Sequence, residues 1–205
     1  MVMAVLLAAS VAGNCKSTKL VASVKNPNYN GQRFQKVLVI GMSDNPAIRS
    51  DFEDAMAAQL TRDGVHAVPG HNILLRPKSA QMDPNYLKAQ IAEHHIDAVL
   101  TSRLVSVKND VTYIPGQVYT VPYPYYNSFY GYYGAIYPRV YTPDYLREDK
   151  TVRVETNLYS TAKPEGEFVW TGISDTFNPN PKKVDKAINA VVQVVVKDLE
   201  KEGIF

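Results

Sequence analysis

The feature that most constrains the fold is the apolar run Val37-Leu38-Val39-Ile40, followed almost at once by a helix signal. Four apolar, mostly β-branched residues in succession leave no face for water, so the run predicts a strand buried on both sides, as in a parallel sheet. Asp44 and Asn45 are N-cap candidates and Pro46 suits the first helical position, while Ile48, Phe52, Met56 and Leu60 recur every four residues. Gly64 ends that helix, and Val65 to Val68 reads as a second strand, completing a strand-helix-strand unit. Asp51, Glu53 and Asp54 face different sides of the helix and read as a solvated acidic surface in its N-terminal half.

The pattern repeats more weakly. Asp83-Pro84 opens a helix with Leu87 and Ile91 inward, and Ala98-Val99-Leu100 begins a strand running to about Val107. Beyond it crossovers give way to hairpins: Val111 to Tyr119, Thr151 to Ser160 and Phe168 to Thr176 are alternating or nearly alternating segments rich in β-branched and aromatic residues. Trp170 lies in the last of these and reads as a core anchor. A final helix runs from about Lys182 to Lys201, with Val184, Ile188, Val191, Val195 and Leu199 on one face. The expected fold is α/β (α+β): a single two-layer sandwich with a mixed sheet of five or six strands and about three helices. Residues 33–205 form its domain, and residues 16–32, polar and carrying Asn26, Pro27, Asn28, Asn30 and Gly31, read as a tether.

Between Tyr119 and Tyr145 lies a block holding ten of the fourteen tyrosines, interspersed with Pro122, Pro124, Pro138, Pro143, Gly131 and Gly134. Proline and glycine at that density interrupt regular structure, which predicts a long loop over 119–145. Tyrosine joins a large apolar face to a hydroxyl, so Tyr123, Tyr125, Tyr126, Tyr130, Tyr132 and Tyr133 are the candidate interaction surface, for a protein or a sugar ring. A biased loop covering the domain's own sheet accounts for the same composition. Only Arg139 is basic from Asn109 to Leu146, and the whole chain has 22 basic against 20 acidic residues. Neither distribution suits nucleic acid.

Catalytic signatures are weak. Gly41-Met42-Ser43-Asp44-Asn45 stands where a hydrolase nucleophile elbow would, but Asn45 occupies the second glycine position. A triad of Ser43, Asp97 and His94 or His95 is the remote enzymatic reading; Ser43 and Asp44 as turn and capping residues explain the same letters. The adjacent His94 and His95 point about 100° apart on a helix, and His66 and His71 are isolated. The expectation is no catalytic residue, no metal and no cofactor, a glycine-rich phosphate loop being absent after the first strand.

The N-terminus carries an address. An apolar run from Val2 to Val11 passes through Ala12, Gly13 and Asn14 to Cys15, the only cysteine. A stretch of about 12 uncharged residues is short for a bilayer span and has the length of a signal-peptide core. It resembles a bacterial lipoprotein signal, with residues 1–15 ending at the lipid-bearing Cys15; Ala12 and Asn14 stand where such signals usually carry Leu and a small residue. Lys16, rather than Asp, after the cysteine implies the outer membrane, periplasmic face. Two other readings stand beside it: cleavage after Ser10-Val11-Ala12 to release a soluble periplasmic protein, or a buried N-terminal element of a cytosolic domain.

Arg49-Ser50-Asp51-Phe52-Glu53-Asp54-Ala55, Ile96-Asp97-Ala98-Val99-Leu100, Val154-Glu155-Thr156-Asn157-Leu158-Tyr159 and Phe168-Val169-Trp170-Thr171-Gly172 together resemble uncharacterised bacterial lipoproteins containing a domain of unknown function. The plan is similar to the TolB amino-terminal domain and to lipoproteins that activate penicillin-binding proteins. That resemblance implies a non-enzymatic, lipid-anchored envelope protein that binds another envelope protein as an adaptor or accessory factor. A cell-wall glycan-binding module using the loop tyrosines is the alternative.

Overall fold

The computed structural model describes residues 17–75, 83–116, 143–163 and 165–205. Six strands form one sheet: β1 (Thr18–Lys25), β2 (Lys36–Met42), β3 (His66–Pro69), β4 (Ala98–Ile114), β5 (Tyr145–Ser160) and β6 (Glu167–Phe177), in the order β1-β6-β5-β4-β2-β3. The described helices are α1 (Pro46–Arg62), the single turn α2 (Gly70–Ile73), α3 (Pro84–Glu93) and α4 (Val184–Lys201). The fold is the expected mixed α/β arrangement. The chain divides into two compact units, one running to Ser106 and resuming at Val152–Phe205, the other Val107–Thr151.

In the first unit the sheet has a parallel and an antiparallel half. β2 pairs in parallel with both β3 and β4, with Leu38 beside Val68 and Val99. Alternation along β2 sends Val37 and Val39 into a core with Met56 and Leu60 of α1 and Val195 and Leu199 of α4. Leu38 points the other way, to Ile73, Leu74, Ile96 and Val99, with Tyr86, Leu87 and Ile91 packed against them. Helical residues therefore cover both faces of the parallel half, which explains why the Val37–Ile40 segment is wholly apolar.

The antiparallel half has α4 on one face. Trp170 is fully buried and its indole N–H donates to Asp198 Oδ2 of α4 at 3.1 Å. A Cβ on Gly172 would stand 2.2 Å from the Trp170 ring, so the ring lies where any side chain at 172 would. Ser102 and Thr156 share a 2.7 Å hydroxyl hydrogen bond, and Arg103 meets Glu155 one step further along. The two contacts advance in opposite directions along β4 and β5, the antiparallel sense.

Several sequence expectations are corrected. Thr18–Lys25 lies inside the segment read as a tether, yet it is a strand, antiparallel to β6, with Thr18 opposite Thr176 and Lys25 opposite Trp170. Its apolar side chains Val21 and Val24 are exposed, and a register shift between Leu20 and Ala22 breaks the alternation that would have marked a strand. The two segments expected around 98–107 and 111–119 join in a single strand, β4, as far as Ile114. Ile48 and Val184, assigned to inward faces, are each 40 % exposed because each lies in the first turn of its helix, short of the covered stretch. A fourth helix, α2, is one turn long and carries no periodic signal.

All three longer helices end in the same way. After α1, Gly64 has φ +89° and Val65 N–H donates to Leu60 O; after α4, Gly203 has φ +65° and Ile204 N–H donates to Leu199 O. These are Schellman endings, which need a left-handed residue. After α3 the same bonds form, Ile96 N–H to Ile91 O and His95 N–H to Ala92 O, but the left-handed position is His95, at φ +52°.

In the second unit, the described outer parts of β4 and β5 carry exposed Val107, Val111, Tyr113, Tyr145 and Leu146. Lys108 pairs with Asp110 at 3.0 Å and Arg147 with Asp149 at 2.8 Å. Tyr145, expected to close the tyrosine loop, opens β5 instead.

Candidate functional site

At the C-terminal end of β2 the chain turns through Gly41 toward α1, and a carboxylate is buried there. Glu53 is completely inaccessible to solvent. Its Oε1 accepts from Gly41 N–H at 2.9 Å and from Arg49 Nε at 3.0 Å, and its Oε2 accepts from His71 N–H at 2.6 Å and from His71 Nδ1 at 2.9 Å. On the other side of the ring, Nε2 lies 3.4 Å from Asp54 Oδ1, so the imidazole stands between two carboxylates.

Each contact follows from local structure. Arg49 and Glu53 are one helical turn apart, which puts their side chains side by side on α1. Asn45 caps that helix, its Oδ1 accepting from Ala47 N–H at 3.0 Å and Ile48 N–H at 3.3 Å. His71 enters because β3 ends at Pro69 and Gly70 begins α2 directly beneath the carboxylate. A Cβ at Gly70 would stand 2.8 Å from Val39 O and 3.0 Å from Glu53 Oε1, so only glycine lets the two backbones approach this closely.

The outer ends of parallel strands are where open α/β sheets place their sites. Here four donors fill the acceptor positions of Glu53, leaving no lone pair free to take a proton from a ligand. The arrangement is a clamp: one side chain ties the end of β2, the first half of α1 and the start of α2. This corrects the reading of Glu53 as part of a solvated cluster and of His71 as isolated. The available signal was spacing, since Glu53, Met56, Ala57 and Leu60 share the inward face of α1.

The suggested hydrolase constellation is not brought together. Ser43 lies past the C-terminal end of β2, where its Oγ accepts from Asn45 N–H at 3.2 Å. Asp97 lies at the other end, accepting from Gln35 N–H at 2.6 Å and Lys36 N–H at 2.9 Å, and Lys36 Nζ donates to His94 O. β2 has seven residues, so at about 3.3 Å per residue its ends are roughly 20 Å apart. His94 is the C-cap of α3 and His95 follows it in the left-handed conformation. Among the described residues no three His, Cys, Asp or Glu side chains stand together as metal ligands.

A second polar feature crosses the antiparallel half. Arg153 grips Asp175 with Nε and Nη2, both at 2.7 Å, and Arg103 grips Glu155 at 3.3 and 2.8 Å. The Arg153 hydrogen bonds, with the charges of Arg153 and Lys19, hold the Asp175 carboxyl below its ordinary value of 3.8. Hydrogen bonds from Arg103 and Asn157 lower Glu155 likewise from 4.5.

Cys15 and Tyr123, Tyr125, Tyr126, Tyr130, Tyr132 and Tyr133 lie outside the described residues.

No protein-family model matches the chain, and no curated protein matches it. Among solved structures, it is similar to the PelC dodecamer from Paraburkholderia phytofirmans, at 11 % identity and a TM-score of 0.42, over 86 % of this chain and 95 % of that one. It is also similar to lipoprotein GNA1162 from Neisseria meningitidis, at 14 % identity and a TM-score of 0.42, over 81 % of this chain and 98 % of that one.

Proposed function

We propose that the chain is a lipid-anchored protein of the bacterial cell envelope, held at the periplasmic face of the outer membrane through Cys15, and that it works by binding another envelope protein rather than by catalysis. The observation that carries this reading is the apolar run from Val2 to Val11 ending in small residues and the chain's single cysteine. No helix among the described residues is long and apolar enough to cross a membrane, so on this reading attachment falls to lipid. One acyl chain binds a bilayer only marginally, whereas several on one cysteine hold it firmly. The committed Glu53 carboxylate and the separation of Ser43 from Asp97 support a binding role over hydrolysis.

The test is direct. Mass spectrometry of the Cys15 peptide from the native envelope is expected to show acyl modification, and Cys15→Ala is expected to move the protein from the membrane to the soluble fraction. An unmodified cysteine, or unchanged partition, rejects the anchor. Affinity purification of the anchored protein is expected to yield a stoichiometric envelope protein. Retention on purified peptidoglycan, lost when Tyr125, Tyr126, Tyr132 and Tyr133 are changed to Ala, would instead favour the glycan-binding reading.

A further inference from the structure

β2 accompanies β4 only to the Met42–Arg103 pair. Beyond it, every residue of β4 from Leu104 to Tyr113 is exposed, and among the described residues no strand lies on that flank. Leu104, Val105, Val107, Val111 and Tyr113 are 41–61 % exposed along this edge. An edge of that length, with no strand beside it among the described residues and with apolar side chains along it, is a template for another strand.

The order of residues along the edge specifies which strand. Read outward from Asn109, it is self-complementary: Lys108 and Asp110, Val107 and Val111, Ser106 and Thr112, Val105 and Tyr113, Leu104 and Ile114. We propose that β4 pairs with β4 of a second copy of this chain, antiparallel and two-fold symmetric about Asn109. In that register each Lys108 faces Asp110 of the other copy, the valines face each other, and the two hydroxyl residues face each other. These are favourable cross-strand pairs. A slip of one residue sets Lys108 opposite Val111, or Asp110 opposite Val107, so register is fixed by charge. Lys108, which deters an arbitrary strand from the edge, thus admits one that presents an acid opposite it. Within one chain Lys108 Nζ already lies 3.0 Å from Asp110 Oδ1, and pairing gives each a second partner in an alternating group of four charges. The segment 107–151 carries four basic and four acidic residues, so it has no net charge with which to seek an anionic surface. The interface is isologous and closes at two copies.

Light scattering and sedimentation of the full chain in mild detergent, in a concentration series, test the pairing. The wild type is expected to dimerise. Lys108→Asp and Asp110→Lys, each setting like charges opposite one another twice per dimer, are expected to weaken self-association about tenfold. An equal mixture of these two variants is expected to recover the dimer, because the acids of one copy then face the lysines of the other while the intrachain pair stays broken in both. That recovery distinguishes pairing between copies from loss of the intrachain contact. A monomeric wild type, single variants that dimerise as well as the wild type, or a mixture no tighter than either variant alone overturns the proposal.

Discussion

Glu53 is held by groups from three elements, which sets what its loss does. Changing it to Ala removes one side of a buried, charge-assisted network and leaves Arg49 and the backbone N–H groups of Gly41 and His71 without that acceptor. Breaking a buried pair from one side costs about 3–5 kcal/mol. His71→Ala keeps the backbone donor at 71 and loses only the ring's bond, so its cost is about 1.5–3 kcal/mol. Urea unfolding of the two variants checks the order; a His71 variant at least as damaged as the Glu53 variant refutes the clamp. His95 predicts the opposite sign. It occupies the left-handed position that Gly64 and Gly203 fill after the other two long helices, so His95→Gly is expected to gain a few tenths to about 1 kcal/mol. A lower thermal midpoint for that variant contradicts this. The cap at Asn45 was legible in sequence because it depends on neighbouring residues. Glu53 was not, because an acid on an inward stripe is explained only by Gly41 and His71, 12 and 18 positions away.

Across elements, the paired Arg153–Asp175 and Arg103–Glu155 contacts link β4, β5 and β6 through side chains that stay partly in water. Both acids titrate below their ordinary values in the folded chain, held down chiefly by hydrogen bonds from the arginines. A carboxyl lowered on folding adds stability above its unfolded value and loses it as pH falls through the folded one. The contribution of Asp175 should therefore be complete well above pH 3.8 and fade in stronger acid. Asp175→Asn is expected to be less stable than wild type at pH 7, with the gap closing toward pH 2. A gap in urea midpoint that is constant over that range contradicts the ion-pair account. The same scale shows what sequence pattern can and cannot reveal. α1 and α4 were legible because Phe52, Met56 and Leu60, and Ile188, Val191, Val195 and Leu199, are buried at helical spacing. β1 was not, because its hold on the sheet is a backbone ladder to β6 together with the Thr18–Thr176 hydroxyl pair, 158 residues apart. The join of β4 across 107–111 was hidden by Lys108, Asn109 and Asp110, three polar residues in succession that interrupt the apolar and β-branched pattern on either side.

For the whole molecule, β1 changes the reach of the proposed anchor. A tether over residues 16–32 spans at most about 60 Å when extended, at roughly 3.5 Å per residue. With the sheet beginning at Thr18, only Lys16 and Ser17 separate it from Cys15, three residue steps that span at most about 10 Å. A lipidated chain would thus carry the β1 edge close to the bilayer surface. Lys25 secures that edge at its far end, Nζ donating to Glu202 O beyond α4 at 2.5 Å, while Phe177 N–H donates to Ser17 O at 2.7 Å near the start of the strand. Trp170 is the only tryptophan and lies directly opposite Lys25 in the register, which makes it a built-in reporter of height above the membrane. Energy transfer from Trp170 to a fluorescent headgroup lipid is expected to be measurable for the lipidated protein in vesicles. Inserting a flexible Gly/Ser segment of about twenty residues between Ser17 and Thr18 should lower it without altering membrane partition. If transfer is the same with and without the insertion, the short reach from anchor to sheet does not set the position of the domain. Surface contacts between the domain and the bilayer would then have to do so.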